Sequence, residues 1–299
     1  MMVGYRALLW PGLLALCATL GLALVATMAL LSAAESFDLA GAIDSYTLRV
    51  LRFTILQATL STVLSLAFAL PLARALARRQ VFPGRRLLIR MMGLPLVLPV
   101  IVAVFGIAAV WGQNGAISNG FEALGLPGLS PLYGLTGILI AHVFFNMPLA
   151  VRLLLPVWQT IPGETWRLAS QLGMGSGAIL RLIEIPRLVT ALPGVATLIF
   201  LLCFTSFAVV LALGGGPRST TLEVAIYQAL RLEFDLTRTV MLALMQMAVC
   251  AGIAALMFRF ARPSPSNATE ERHTQRPDTV SMAGRTGDAI VLVLGAAFV

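Results

Sequence analysis

The 299-residue sequence is 59% hydrophobic and only 11% charged, with a mean hydropathy of +0.91. A soluble domain of this length has no use for so much apolar surface, so a bilayer is the expected solvent. The net charge is +8 and all 21 basic residues are arginine; because they gather in short loops beside apolar runs, they point to membrane orientation and away from nucleic acid.

A hydrocarbon core of about 30 Å takes about 20 apolar residues of helix. The first segment of that length is Leu8–Leu31. Ser32-Ala33-Ala34 after it resembles a signal-peptidase site, but the apolar run is about twice the length of a signal core, so an uncleaved helix is expected. The second span is Thr54–Leu76, followed by a loop carrying Arg74, Arg78, Arg79, Arg85, Arg86 and Arg90. The third, Leu87–Trp111, leads into Gly112–Gly134, which holds no arginine.

The fourth span, Leu135–Trp158, contains His142, the one titratable side chain deep in a span. His142 and Asn146 are four residues apart and share a helix face, and Pro148 removes a helix hydrogen bond just beyond them. That pair fits either a polar stripe on a translocation path or an interhelical hydrogen bond that fixes packing. No aspartate or glutamate lies in any of the six spans. HExxH, GxSxG and buried carboxylate pairs are all missing, which argues against an enzyme. Cys17, Cys203 and Cys250 stand singly in apolar runs, without metal-ligand spacing, and read as packing residues.

Residues 159–191 form the most informative loop. Its glycines Gly173, Gly175 and Gly177 alternate as in a phosphate-binding turn, but a Walker loop needs a lysine and the chain has none. The dinucleotide fingerprint needs a βαβ unit, and here membrane helices flank the run. The residues instead describe a short amphipathic helix. Pro162 suits its first turn, Glu164 is favoured at its N-terminus, and Trp166, Leu168, Ala169 and Leu172 supply apolar groups. Gly173 is placed as its C-terminal cap, with Gly175 and Gly177 loosening the turn behind. A second helical stretch, Ala178–Ile185, is expected to stop at Pro186.

The fifth span is Leu192–Leu213. An outer loop to Arg238 follows, with Gly214-Gly215-Gly216, Glu223, Glu233 and Asp235, and then the sixth span, Thr239–Phe258. Pro263–Arg285 is polar and aperiodic, as a linker would be. The sequence turns apolar again from Ala289 and ends 11 residues later, too short a run to cross a bilayer. With the arginine-rich loops cytoplasmic, 16 arginines lie inside and five outside, which puts the N-terminus inside.

The 159–191 loop resembles the signature loop of binding-protein-dependent ABC importer permeases: two alanines, three residues, glycine, nine residues, then isoleucine-x-leucine-proline. Ala169 fits the second alanine, Gly173 the glycine, and Ile183, Ile185 and Pro186 the terminal group. Arg167 stands where the signature has glutamate and Leu168 where it has the first alanine. The stretches LVLPVIVAVFGI (Leu96–Ile107), GILIAHVFFNMPLAVRLLL (Gly137–Leu155) and SFAVVLALGGGPRSTTLEVAIYQAL (Ser206–Leu230) resemble permeases importing thiamine or thiamine pyrophosphate, and the similarity covers roughly Leu51–Phe260.

The resemblance implies an all-α integral membrane protein of the type I ABC importer fold, with six transmembrane helices and the start of a truncated seventh. It divides the chain into an N-terminal helix and periplasmic loop (1–50), a permease core (51–262), a linker (263–287) and the start of a second permease half (288–299). It also implies a separate cytoplasmic ATPase dimer that holds ATP and Mg, so that this chain binds no cofactor itself. That dimer would dock the loop bearing Glu164, Arg167, Ala169, Gly173, Ile183, Ile185 and Pro186. A periplasmic thiamine-binding protein would meet Glu223, Glu233 and Asp235, and the setting would be a bacterial inner membrane. The competing expectations are an iron(III) or other small-solute permease, an ion-coupled carrier using His142, and a structural anchor.

Overall fold

The computed structural model describes residues 44–125, 132–260 and 282–298, Arg276 and Asp278, and separate positions between 12 and 32. Much of the expected first span Leu8–Leu31, the Ala33-Ala34 pair and linker residues 263–275 therefore lie outside the described residues. Every regular element among the described residues is helical. Five helical stretches among the described residues are long and apolar enough to cross a membrane.

Helix α1 runs Ser45–Arg78, so it begins ahead of the expected domain edge at residue 51. Its cap is Asp44, whose carboxylate accepts the Thr47 backbone N–H at 2.6 Å. Hydrogen bonds from Thr47 hold that carboxyl below its ordinary 3.8, opposed by slight desolvation and helped by Arg238. One α1 face buries Thr54, Gln57, Ala58, Ser61, Ser65, Ala69, Leu72, Ala73 and Leu76 at three- and four-residue spacing, while Ile55, Val63 and Phe68 point outward. Small and polar residues inside with large apolar ones outside is the arrangement a lipid solvent selects, because close helix approach replaces the hydrophobic driving force.

Beyond α1, short helices α2 (Arg85–Met91), α3 (Leu94–Val97), α4 (Val100–Trp111) and α5 (Ala116–Ala123) lead to α6 (Leu135–Gln159). The expected third span Leu87–Trp111 is thus not one helix. Gly93 and the Leu98-Pro99 step interrupt it, with Leu98 extended at ψ 132° as the residue before a proline prefers. The stretch long enough to span is Val100–Ala123.

Helix α6 is central and packs on α1, α3, α4, the next long helix and the short helix after that. It continues through Pro148 and Pro156, so the proline beside His142 and Asn146 does not end it. Helix α7 (Gly163–Gln171) follows, then α8 (Ser176–Phe204), α9 (Ala208–Leu213), α10 (Leu222–Arg231), α11 (Leu236–Phe260) and α12 (Met282–Phe298).

Helix α8 overturns two expectations. It does not stop at Pro186 but passes through it by a π turn at Leu180–Glu184, in which the Ile185 N–H reaches back to the Leu180 carbonyl. Widening the helix just before the proline eases the clash of its ring with the carbonyl four residues back. The span expected at Leu192–Leu213 also breaks after Phe204, where the Thr205 hydroxyl and backbone N–H both donate to the Leu201 carbonyl. Helix α12 begins ahead of the expected boundary at 288 and lies along α1. Gly295 permits that approach, since a Cβ there would meet Leu72 Cδ2 at 2.6 Å.

Candidate coupling joint and its buried ion network

The amphipathic helix expected after residue 159 is α7. Glu164 lies in its first turn and is exposed, as are Arg167 and Gly173. Trp166 and Ala169 face inward, 5% and 1% accessible, whereas Leu168 and Leu172 project outward at 56% and 68%. The helix closes in a two-bond C-terminal motif. The Met174 N–H donates to the Ala169 carbonyl at 2.9 Å and the Gly173 N–H to the Ser170 carbonyl at 3.1 Å, with Gly173 left-handed at φ 61°. Gly173 is therefore required by backbone geometry. Gly175 and Gly177 have no such φ and nothing crowds them.

Behind α7 lies a cluster that sequence reasoning missed. Glu184, in the π turn, is fully buried. Arg74 Nε of α1 donates to its Oε2 at 2.6 Å, and Arg276 Nη2 donates to its Oε1. The Arg276 guanidinium also stacks over the Trp166 ring, 4.3 Å from its centroid, and pairs with Asp278 at 3.1 Å. Asp278 in turn pairs with Arg78 Nε at 3.2 Å and accepts Arg78 Nη2 through its carbonyl at 2.7 Å. Asp288 of α12 closes the chain, 3.2 Å from Arg78 and 2.9 Å from Arg79. Four guanidinium groups face three carboxylates, and no side chain among them is more than 22% accessible.

The linker was expected to be solvated, but Arg276 and Asp278 are buried at 5% and 6%. Arg74 and Arg78, counted from sequence as loop charges, belong to helix α1 and are committed to ion pairs. Little in the sequence signalled this, because Glu184 lies 110 residues from Arg74 and 92 from Arg276. The available hint was an acid placed just before a long apolar run. Of the terminal signature group, Ile183 is half-buried, and Ile185 and Pro186 are exposed. Ile185 lines a cavity of about 250 Å³ with Leu70, Pro71, Trp158 and Leu188.

His142 and Asn146 share one face and both are buried. His142 Nδ1 lies 2.9 Å from Ser61 Oγ of α1, and Asn146 Nδ2 donates to Cys203 Sγ of α8 at 3.2 Å. Both thus bridge α6 to its neighbours. Of the outer acids, Glu233 and Asp235 both engage Arg238, whereas Glu223 has a different partner. Glu223 accepts from Gln246 at 2.6 Å, linking α10 to α11. Glu233 pairs with Arg238 at 3.2 Å, and Asp235 caps α11 by accepting the Arg238 N–H at 2.8 Å. Gly214, Gly215 and Gly216 line a separate cavity of about 210 Å³ beside Tyr46. Among the described residues no three His, Cys, Asp or Glu side chains form a metal-binding group.

No protein-family model matches the sequence. Curated relatives do. The thiamine transport system permease protein of Brucella abortus (strain 2308) is 48% identical over 286 residues, which is 96% of this chain and 53% of the relative. That of Escherichia coli (strain K12) is 47% identical over 285 residues, 95% of this chain and 53% of the relative. The Haemophilus influenzae protein of the same description is 44% identical over 218 residues, 73% and 40% of the two chains. The chain thus spans about half the length of the curated relatives it matches. Among solved structures, a bacterial ABC transporter importing the polysaccharide alginate superposes with a TM-score of 0.69 at 13% identity, covering 86% of this chain and 94% of that one. The MetNI methionine ABC transporter gives 0.57 at 16% identity, over 73% and 95%. At these identities the likeness is one of fold.

Proposed function

We propose, on the premise that this chain belongs to the ABC importer permease family, that it forms part of a permease for thiamine or its phosphate esters. It would carry solute across a bacterial inner membrane without hydrolysing ATP itself. The observation that carries the reading is α7. This helix is seated on the core by Trp166 and Ala169, capped rigidly at Gly173, and leaves Leu168 and Leu172 outward with no described partner. An ATPase subunit with an apolar groove would take that face, and ATP-driven closure of the ATPase dimer would move α7 together with α8. Transmission of this kind needs an element whose contacts differ between two states.

Further parts of the reading follow. The arginine-rich end bearing α7 faces the cytoplasm and the α10–α11 end faces the periplasm, where a thiamine-binding protein would deliver solute. A second permease half completes the pore, in keeping with relatives about twice the matched length. His142 is a packing residue, consistent with its bond to Ser61.

The test is uptake into proteoliposomes containing the full-length permease, its ATPase and its binding protein. Thiamine uptake is expected to require ATP hydrolysis, to ignore a proton gradient, and to persist in the His142→Ala variant. Gradient-driven uptake without ATP, or transport of iron(III) in preference to thiamine, would contradict the reading.

A further inference from the structure

We propose that Arg276 and Asp278 form an internal strap that locks α7 to α1 and α12, with Arg276 as the positioning residue. The proposal rests on the reading of α7 as a moving joint, but its structural core can be tested without the ATPase.

The argument begins with what a linker would cost in this arrangement. Burying an ion costs several kcal/mol unless a partner and further hydrogen bonds compensate, so a tether that only spans distance keeps its charges in water. Here two charges of the 276–278 segment are buried, and both are fully engaged. Arg276 makes three kinds of contact at once: the Trp166 ring of α7, the Glu184 carboxylate of the π turn, and Asp278. A planar guanidinium can stack on a ring and still donate in its own plane, which an ammonium cannot do. Asp278 continues the chain to Arg78 of α1, and Arg78 shares Asp288 of α12 with Arg79.

An unbroken path therefore runs from Trp166 to Asp288 through charge-assisted contacts. Most of its members are at least nine-tenths buried, so salt screens them little. Displacing α7 alone would either strip Arg276 of the Trp166 ring or draw it off the buried Glu184 carboxylate. Moving α7, the end of α1, α12 and the Glu184 turn of α8 together breaks none of these contacts. The four elements thus act as one lever.

The experiment places spin labels at the exposed residues Ser170 of α7, off the Leu168–Leu172 face, and Leu294 of α12 in the full-length permease, with its cysteines, among them Cys17, Cys203 and Cys250, replaced. Inter-label distances are measured without nucleotide and again with the ATPase and ATP. The wild-type background is expected to give one narrow distribution that stays the same in both conditions. Arg276→Ala is expected to broaden it even without the ATPase, and to lower uptake per ATP hydrolysed by about tenfold, within the range typical of allosteric coupling. Arg276→Lys keeps the pairing with Glu184 but loses the stacking, so it should restore part of the coupling. Trp166→Leu removes the stacking without orphaning a charge, and should broaden the distribution even if Arg276→Ala fails to fold. A distribution unchanged in both Arg276→Ala and Trp166→Leu overturns the strap, whatever the ATPase does. Broadening in the variants without any contact between α7 and the ATPase would instead leave the strap standing and overturn the joint.

Discussion

Glu184 is the residue on which the interior of the arginine-rich end depends. Its two carboxylate oxygens are each taken by an arginine, from α1 and from the 276–278 segment, and it is fully buried. Replacing it by glutamine keeps the size and some hydrogen bonding but removes the negative charge that two guanidinium groups share, leaving Arg276 paired with Asp278 and Arg74 with the Ser176 oxygens. Removing one partner of a buried pair costs about 3–5 kcal/mol. The expected outcome for Glu184→Gln is destabilisation of about 3 kcal/mol, near the low end because Arg74 retains some solvent access. Thermal unfolding of the purified permease in detergent measures it, and an unchanged midpoint would show that the network is not needed for stability. The conspicuous charges in the sequence, Glu164 and Arg167, lie on the exposed side of α7. Their placement was legible because helix periodicity is local, whereas the partners of Glu184 are joined only by tertiary packing.

Helix α7 and its closing turn show how far local rules reach. Proline entry, an acid in the first turn and glycine at the close all act over a few residues, and the helix is found where they put it. The three alternating glycines nevertheless differ in kind, and two substitutions should shift stability in opposite directions. Gly173 is left-handed, so Gly173→Ala is expected to cost about 1 kcal/mol or somewhat more. Gly177 lies in ordinary helix with open space at its Cβ, so Gly177→Ala should gain up to about 1 kcal/mol. Differential scanning of the two variants beside the parent decides this, and equal shifts would contradict the turn geometry. Local rules also misled. Pro186 was read as a stop, although a π turn lets the helix continue, and the run from Leu87 was read as one helix across Gly93 and Pro99. Apolar length was visible in the composition, but the position of breaks within it depended on the local backbone geometry at Gly93 and Pro99 and on packing against α6.

At the scale of the molecule, bilayer chemistry made the all-α class readable before any fold was known, because spanning backbone must satisfy its own hydrogen bonds. Hydropathy alone could not distinguish a loop from a strap. Arg74, Arg78, Arg276 and Asp278 look like interfacial or linker charges in sequence, yet their contacts join α1, α7, α8 and α12 at one end of the bundle. The proposed importer function, suggested by the similarity to thiamine permeases and the shared fold of ABC importers, would make this end the rigid surface where a motor acts.

The central claim is that the outward face of α7 is that surface. A photo-crosslinking amino acid is placed at Leu168 or Leu172 in the full-length permease, with a control at exposed Phe234 in the α10–α11 turn. After mixing with the purified ATPase and irradiating, the account predicts ATPase adducts from positions 168 and 172 and none from 234. Adducts from 234 alone, or from none of the three while the complex remains assembled, would contradict it.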